Sequence, residues 1–345
     1  MVRVLLAALT LPWGACSGVG GQPALETSAE HPVPVPLGTP ASDDSPADDV
    51  PEPPMPPPVT TAPKPPTPEP KPFVPSPADA PFGDPVDLPA GKEWVYVWGD
   101  EFDGTELDLT KWSFTPLHWQ RRDLNHGADC RRVHWDWTER DNVRVAGGNL
   151  VLGNTRVMPP PNETDENGDP VYEGDVLVHA SAIYSDRQKK DSHGYERTYG
   201  YFEARIRIAP TVDGIHTAFW LYTYRDGGGE VDIAESALAS DKYHMAVHWK
   251  NEHARRRQAT MYAAVPDLHA GQFHVFAVHW DEDGYRFYAD GRLQWAYSGP
   301  GVSHVDHFIY LSTGASWNDG NACTGTFPNE ALVDWVRVWE LRGAP

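Results

Sequence analysis

Between residues 94 and 340 the chain is cut into short runs rich in Val, Ile, Tyr, Phe and Trp, separated by turn-forming residues, and no stretch sustains a helical period. Residues 142–152 read as two alternating segments folded about Gly147-Gly148, the chemistry of a tight hairpin. Residues 199–208 and 243–249 alternate as well. The run 273–280 passes through Asp281-Glu282-Asp283-Gly284 into 285–289, and Asp290-Gly291 turns that segment into 292–297. A last strand is expected over 334–340, with one face apolar or aromatic. Many strands at this spacing, with no helices alternating between them, predict an all-β fold: two antiparallel sheets packed face to face as a sandwich.

Proline sets the other boundary. Of 34 prolines, 22 fall within residues 31–90, in runs such as Pro51-Glu52-Pro53-Pro54-Met55-Pro56-Pro57-Pro58. Such a stretch buries too little apolar surface to offset its ordering entropy and favours extended polyproline II. The expected organisation is a leader over 1–16, a disordered Pro-rich linker over 17–91 and one domain over 92–342, long enough for a single large core. The leader carries Arg3 and then a short apolar run, which suits a signal peptide and is too short to cross a bilayer. Gly14-Ala15-Cys16 resembles a bacterial lipoprotein cleavage site, although Trp13 stands where leucine is usual. Export is therefore expected, either anchored through a lipid on Cys16 at an outer membrane or cell surface, or by ordinary secretion.

Formal charge is −21. Beyond residue 91 the chain has 25 Lys/Arg against 38 Asp/Glu, which disfavours nucleic acid as a partner and suits a neutral substrate better than a polyanion. Arg121-Arg122, Arg131-Arg132 and Arg255-Arg256-Arg257 are local exceptions, expected in loops, where they are either solvated or contact a sulfate or carboxylate. Besides Cys16, only Cys130 and Cys323 are present. They could pair in an exported chain, but sequence does not bring their Cα atoms within bridging distance, and their spacing matches no zinc site.

Fourteen tryptophans exceed what a core alone needs, and Trp119, Trp135, Trp137, Trp249 and Trp317 fall in or beside loop-like segments. Flat aromatic rings stack on the apolar faces of sugars while their edges stay wet, so the excess points to a carbohydrate cleft.

The segment Glu230-Val231-Asp232-Ile233-Ala234-Glu235 carries the chemistry. On a strand, Glu230 and Asp232 share one face while Val231 and Ile233 share the other. Strict alternation would send Glu235 into the core, where an unpaired glutamate is expensive. A β-bulge near Ile233 and Ala234 would return it to the acidic face. Four ladder steps of about 3.3 Å separate the outer positions by roughly 13 Å, and inward-leaning glutamates can then reach the ~5–5.5 Å carboxyl spacing of a retaining glycosidase. Asp232 leaves room for the anomeric carbon and can hydrogen-bond Glu230, while crowding raises the pKa of one outer carboxyl so that it starts protonated. The alternatives are a solvated acidic edge strand, at a cost in repulsion, and a metal site, which an alternating strand alone supplies poorly.

With its flanks, this segment resembles glycoside hydrolase family 16, the laminarinase, lichenase, agarase and carrageenase family. The likeness covers nearly all of 94–340. It rests on Trp98-Gly99-Asp100-Glu101-Phe102-Asp103-Gly104, on Tyr199-Gly200-Tyr201-Phe202-Glu203-Ala204-Arg205, and on Ala218-Phe219-Trp220-Leu221 ahead of the bulged Glu-x-Asp-x-x-Glu pattern. Val247-His248-Trp249, Tyr288-Ala289-Asp290-Gly291 and Asp334-Trp335-Val336-Arg337-Val338 continue it. The resemblance implies a jelly roll with a concave cleft, Glu230 as nucleophile, Asp232 as its assisting carboxylate and Glu235 as general acid and then base. It implies that His248 joins this network and that Trp220 lines the subsite beside the scissile bond; Trp119, Trp249 and Trp317 are further candidates for sugar contact. It also implies a monomer acting on a polysaccharide, with no cofactor needed for the chemistry and a structural calcium held by Glu101, the Gly148 carbonyl and Asp334. His216-Thr217 stands where laminarinase-like sequences have a proline, and 118–137 is unusually charged and aromatic. A β-1,3-glucan is the first expected substrate, an algal galactan (sulfated or not) the second, and a non-catalytic glycan-binding sandwich the alternative to an enzyme.

Overall fold

The computed structural model describes residues 88–114, 130, 132–137, 139–158, 172–185, 194–225, 229–236, 241–251, 253–316 and 320–343. The expected leader with Cys16, almost all of the linker, Trp119, Arg121, Arg122, Arg131 and Trp317 lie outside these residues. The chain divides into units 1–63 and 64–345, and every described residue belongs to the second.

Its strands open with β1 (Lys92–Asp100), β2 (Ser113–Phe114), β3 (Arg132–Asp136), β4 (Val143–Ala146), β5 (Asn149–Val157) and β6 (Asp175–His179). Next come β7 (Ala182–Tyr184), β8 (Glu196–Arg197), β9 (Gly200–Arg207), β10 (Ile215–Thr223), β11 (Gly229–Glu235) and β12 (Lys242–Lys250). The last six are β13 (Arg256–Ala264), β14 (His274–Asp281), β15 (Gly284–Ala289), β16 (Arg292–Tyr297), β17 (His307–Ala315) and β18 (Asn329–Gly343).

One sheet runs β16-β15-β14-β9-β18-β5-β6-β3, with β1 on β18 and β4 on β5. The other runs β13-β12-β11-β10-β17-β7-β2, with β8 on β17. Phe202, Phe276 and Val278 of the first share one core with Phe219, Val231, Ile233 and Met245 of the second, all essentially without exposed surface. The expected two-sheet sandwich is the fold. Between β4 and β5, Gly147 and Gly148 both have positive φ, 62° and 75°, which a two-residue turn of this hand requires and glycine supplies without strain. One pair departs from the antiparallel expectation among the described strands: β3 runs parallel to β6. These two are joined through β4 and β5 rather than by a hairpin, so the chain is free to return in the same direction.

Cys130 and Cys323 form a disulfide, with Cα atoms 5.6 Å apart across 193 residues of sequence. It ties the entrance of β3 to the segment ahead of β18, a crosslink of the kind that contributes about 2–4 kcal/mol by restricting the unfolded chain.

The carboxylates expected to hold calcium have arginine partners. Register does draw its candidates together, since Asp100 lies opposite Val336 and Leu150 opposite Val333, flanking Asp334. However, both Glu101 oxygens accept hydrogen bonds from Arg337, at 2.8 and 2.9 Å, and Asp334 is paired with Arg205. A hard cation needs several uncommitted oxygens, and guanidinium groups already neutralise these two carboxylates. Glu101 and Asp334 would therefore have to leave these partners to join a calcium shell.

Candidate active site

The site is built on β11, held between β10 and β12. Across β10, Trp220 faces Asp232 and Phe219 faces Ala234, which leaves Ile233 without a partner. Across β12, Asp232 faces Ala246 and Glu235 faces His244, again one residue too many on β11. Ile233 and Ala234 are consecutive yet both buried in the core. That is a β-bulge, and its effect is to flip the parity of the strand so that Glu235 returns to the face of Glu230 and Asp232.

Three rungs now cross this face of the sheet. Tyr222, Glu230, His248 and Gln258 form the first, Trp220, Asp232, Ala246 and Thr260 the second, and Ala218, Glu235, His244 and Tyr262 the third. Glu230 and Glu235 face positions four residues apart on β10, the separation the chemistry requires at backbone level. His248 Nε2 lies 3.0 Å from Asp232 Oδ2 and 4.0 Å from Glu230 Oε1. His244 Nδ1 is hydrogen-bonded to Glu235 Oε2 at 2.9 Å.

These surroundings treat the acids differently. Burial and the adjacent Asp232 charge push the Glu230 carboxyl up to about 8, against a partial offset from His248. Burial, and then the Glu235 charge, raise Asp232 well above the usual carboxylate range. Burial also pushes Glu235 upward, but the hydrogen bond from His244 and the charges of His216, His244 and His248 outweigh it and leave that carboxyl lowered. So the crowding expected from the sequence does raise an outer carboxyl, and it is Glu230, the one assigned as nucleophile, rather than the assigned acid. Glu230 and Asp232 are best treated as one pair that shares a proton. With that proton on Asp232, Glu230 is left as the anion.

Residues 174–324, which include every acid and histidine of these rungs, match the family model of glycosyl hydrolases family 16. That match and the curated relatives support glycoside hydrolase family 16 for this chain. It is an endo-acting glycoside hydrolase, and retention of configuration is general to the family. Beta-porphyranase C of Zobellia galactanivorans is 27% identical over 306 residues, covering 73% of this chain and 80% of that protein. Glucan endo-1,3-beta-glucosidase A1 of Niallia circulans is 24% identical, covering 76% of this chain and 40% of that one. Among solved structures, porphyranase B of Zobellia galactanivorans matches with a TM-score of 0.59 at 22% identity, over 76% of this chain and 99% of that one. The laminarinase catalytic domain of Thermotoga petrophila matches at 0.54 and 23% identity, over 72% and 98%.

In this family 16 domain the acids line a cleft of about 570 Å³ across the three rungs. Trp135, Trp137, Trp220 and Tyr222 give it aromatic walls. Trp220 stacks on Tyr310 with ring centres 4.1 Å apart and donates its indole N–H to Ser312 Oγ, which fixes the ring. Trp137 is pinned by donation to the Thr313 carbonyl at 2.7 Å. Trp135 sits on β3 rather than in a loop, and Gly314 makes room for it: a Cβ there would lie 3.1 Å from the Trp135 ring and 2.5 Å from that of His216.

Two expectations change. Trp249 follows His248 on an alternating strand, so it turns away from the main cleft and packs against the core beside Gly301. It reaches only a small recess beyond Glu230. Arg132 lies on β3, and Arg256 and Arg257 on β13, not in loops. Six cleft groups went unassigned in the sequence: Tyr222, His244, Gln258, Thr260, Tyr262 and Ser312. His244 was within reach, because the i, i+4 spacing to His248 on a strand places both on one face. The β13 residues had no signal, since both faces of that edge strand are largely exposed and no apolar alternation marks it.

Proposed function

We propose that this family 16 enzyme cleaves a β-linked polysaccharide from within by double displacement. Glu230 attacks the anomeric carbon, Asp232 holds the shared proton and keeps Glu230 charged, and Glu235 protonates the leaving oxygen, then removes a proton from water in the second step. His248 holds Asp232, and Trp220 packs against the sugar beside the scissile bond. The observation that carries this reading is the bulge at Ile233 and Ala234, because without it Glu235 would sit in the core and no acid would stand across the scissile bond from Glu230. A pure binder has no use for three desolvated carboxylates crowded on adjacent rungs.

For the substrate, the reading ranks an algal galactan above a β-1,3-glucan, the reverse of the order expected from the sequence. His216, which replaces the proline of laminarinase-like sequences, lines the cleft beside Trp135. The porphyranase relative is matched over 80% of its length and the glucanase over 40%. The reading also includes export by residues 1–16, with the domain held on the 17–91 spacer, either through a lipid on Cys16 or free.

A panel of laminarin, mixed-linkage glucan, agar, porphyran and carrageenan tests this by product size. A ladder of oligosaccharides from a galactan is expected. A ladder from laminarin alone would reverse the ranking, and release of monosaccharide only would reject internal cleavage.

The histidine bond to Glu235 gives a pH prediction. Glu235 must carry a proton to act as acid, and its lowered pKa means that proton is lost early as pH rises, so the alkaline limb of kcat/KM is expected on the acidic side of neutrality. In His244→Gln the carboxyl loses the histidine that lowers it, and that limb should move to higher pH. A lower rate with an unmoved limb would reduce His244 to a packing role.

A further inference from the structure

The rungs of the cleft do not end at Glu230. Two residues beyond the His248 and Gln258 pair, Lys250 lies directly opposite Arg256 on the same face of β12 and β13. Like charges placed opposite one another on paired strands repel, so the arrangement is costly unless something negative lies between them. Among the described residues, the acid within reach of Arg256 is Glu230, and it does not fill that role well. Arg256 Nη2 is 3.8 Å from Glu230 Oε2, within ion-pair range but too long for a hydrogen bond, and the Arg256 side chain is 78% exposed. Beside the pair opens a recess of about 150 Å³, lined also by Tyr222, Glu230, His248 and Trp249. It is continuous in its lining with the catalytic cleft, which shares Tyr222, Glu230, His248 and Arg256.

We propose that Lys250 and Arg256 form an anion subsite that receives a sulfate ester or carboxylate carried by the sugar lying beside Glu230. This rests on the glycanase reading above and names the substrate class within it: an anionic polysaccharide. A guanidinium offers a planar fork to two oxygens of such a group, and the lysine supplies a second, mobile donor from the opposite strand. The chain's net charge of −21 does not forbid this. Screening at physiological ionic strength has a length of about 8 Å, so distant carboxylates are muted while a contact pair is not. The shared proton on Glu230 and Asp232 also lowers the negative charge that the anion meets.

The test uses the full chain and matched polymers that differ only in their charged group: porphyran against chemically desulfated porphyran, and carboxymethyl-laminarin against laminarin. The native enzyme is expected to favour the charged member of one pair by at least about tenfold in kcat/KM, the contribution of one charge-assisted contact. Which pair responds separates sulfate from carboxylate. In the Lys250→Gln, Arg256→Gln double variant that ratio should fall toward one, mainly through KM, with thermal unfolding showing that the exposed edge strand still folds. Should the double variant be unfolded, Lys250→Gln alone is expected to lower the ratio in the same direction. A native ratio near one in both pairs, or a ratio the variants leave unchanged, overturns the subsite and leaves the glycanase standing. No turnover of any of the four polymers, nor of agar, carrageenan or mixed-linkage glucan, overturns both.

Discussion

Glu230→Gln is expected to lower kcat on polysaccharide on the order of 10⁴-fold or more, as losses of attacking groups do, while the protein stays folded and still binds glycan. The expectation follows from what Glu230 touches. Its carboxyl is mostly withdrawn from water beside Asp232, with 24% of the side chain still exposed and only partial compensation from His248 and a distant Arg256. An amide of the same shape removes a charge from that crowded place, so no loss of thermal stability is expected from the exchange. What disappears is the nucleophile. Turnover at the native rate would reject its assignment, and a lower melting temperature would show that the carboxylate serves the fold instead.

Glu235→Gln should separate substrates by leaving group. Polysaccharide cleavage needs a proton on the departing oxygen, and its loss is expected to cost about 10²–10⁴-fold. An aryl glycoside with a strongly acidic phenol leaves without help, so its first step should be nearly unaffected, and an added small anion such as azide should restore the second. Equal losses on both substrates would count against the acid role. The contrast bears on the bulge directly, since Glu235 reaches the leaving group only because Ile233 and Ala234 both turn inward.

Much of this arrangement was legible in the sequence because each element had a local reason. Gly147-Gly148 between two alternating runs gave the hairpin of β4 and β5. The bulge was deducible from energetics alone: a glutamate at the core position after Ala234 is too costly, so the strand had to change parity. Three things were hidden because they depend on partners distant in sequence. The parallel pairing of β3 with β6 depends on how β4 and β5 intervene. The polar edge strand β13 is visible only once β12 gives it a register. Which outer carboxyl is raised depends on His244, nine residues from Glu235 in sequence and 2.9 Å from it in space. The arginines of 255–257 show the same limit, since composition marked them as a cluster but only pairing set Arg256 beside Glu230 and opposite Lys250.

The most direct measurement traps the covalent intermediate. A glycoside of the preferred sugar with fluorine at C2 and a good leaving group forms the glycosyl-enzyme and hydrolyses it slowly, so the labelled residue can be found by peptide mass spectrometry. The arrangement around the bulge requires the sugar to be attached to Glu230. A label on Glu235, or products of inverted configuration with no label at all, would contradict it.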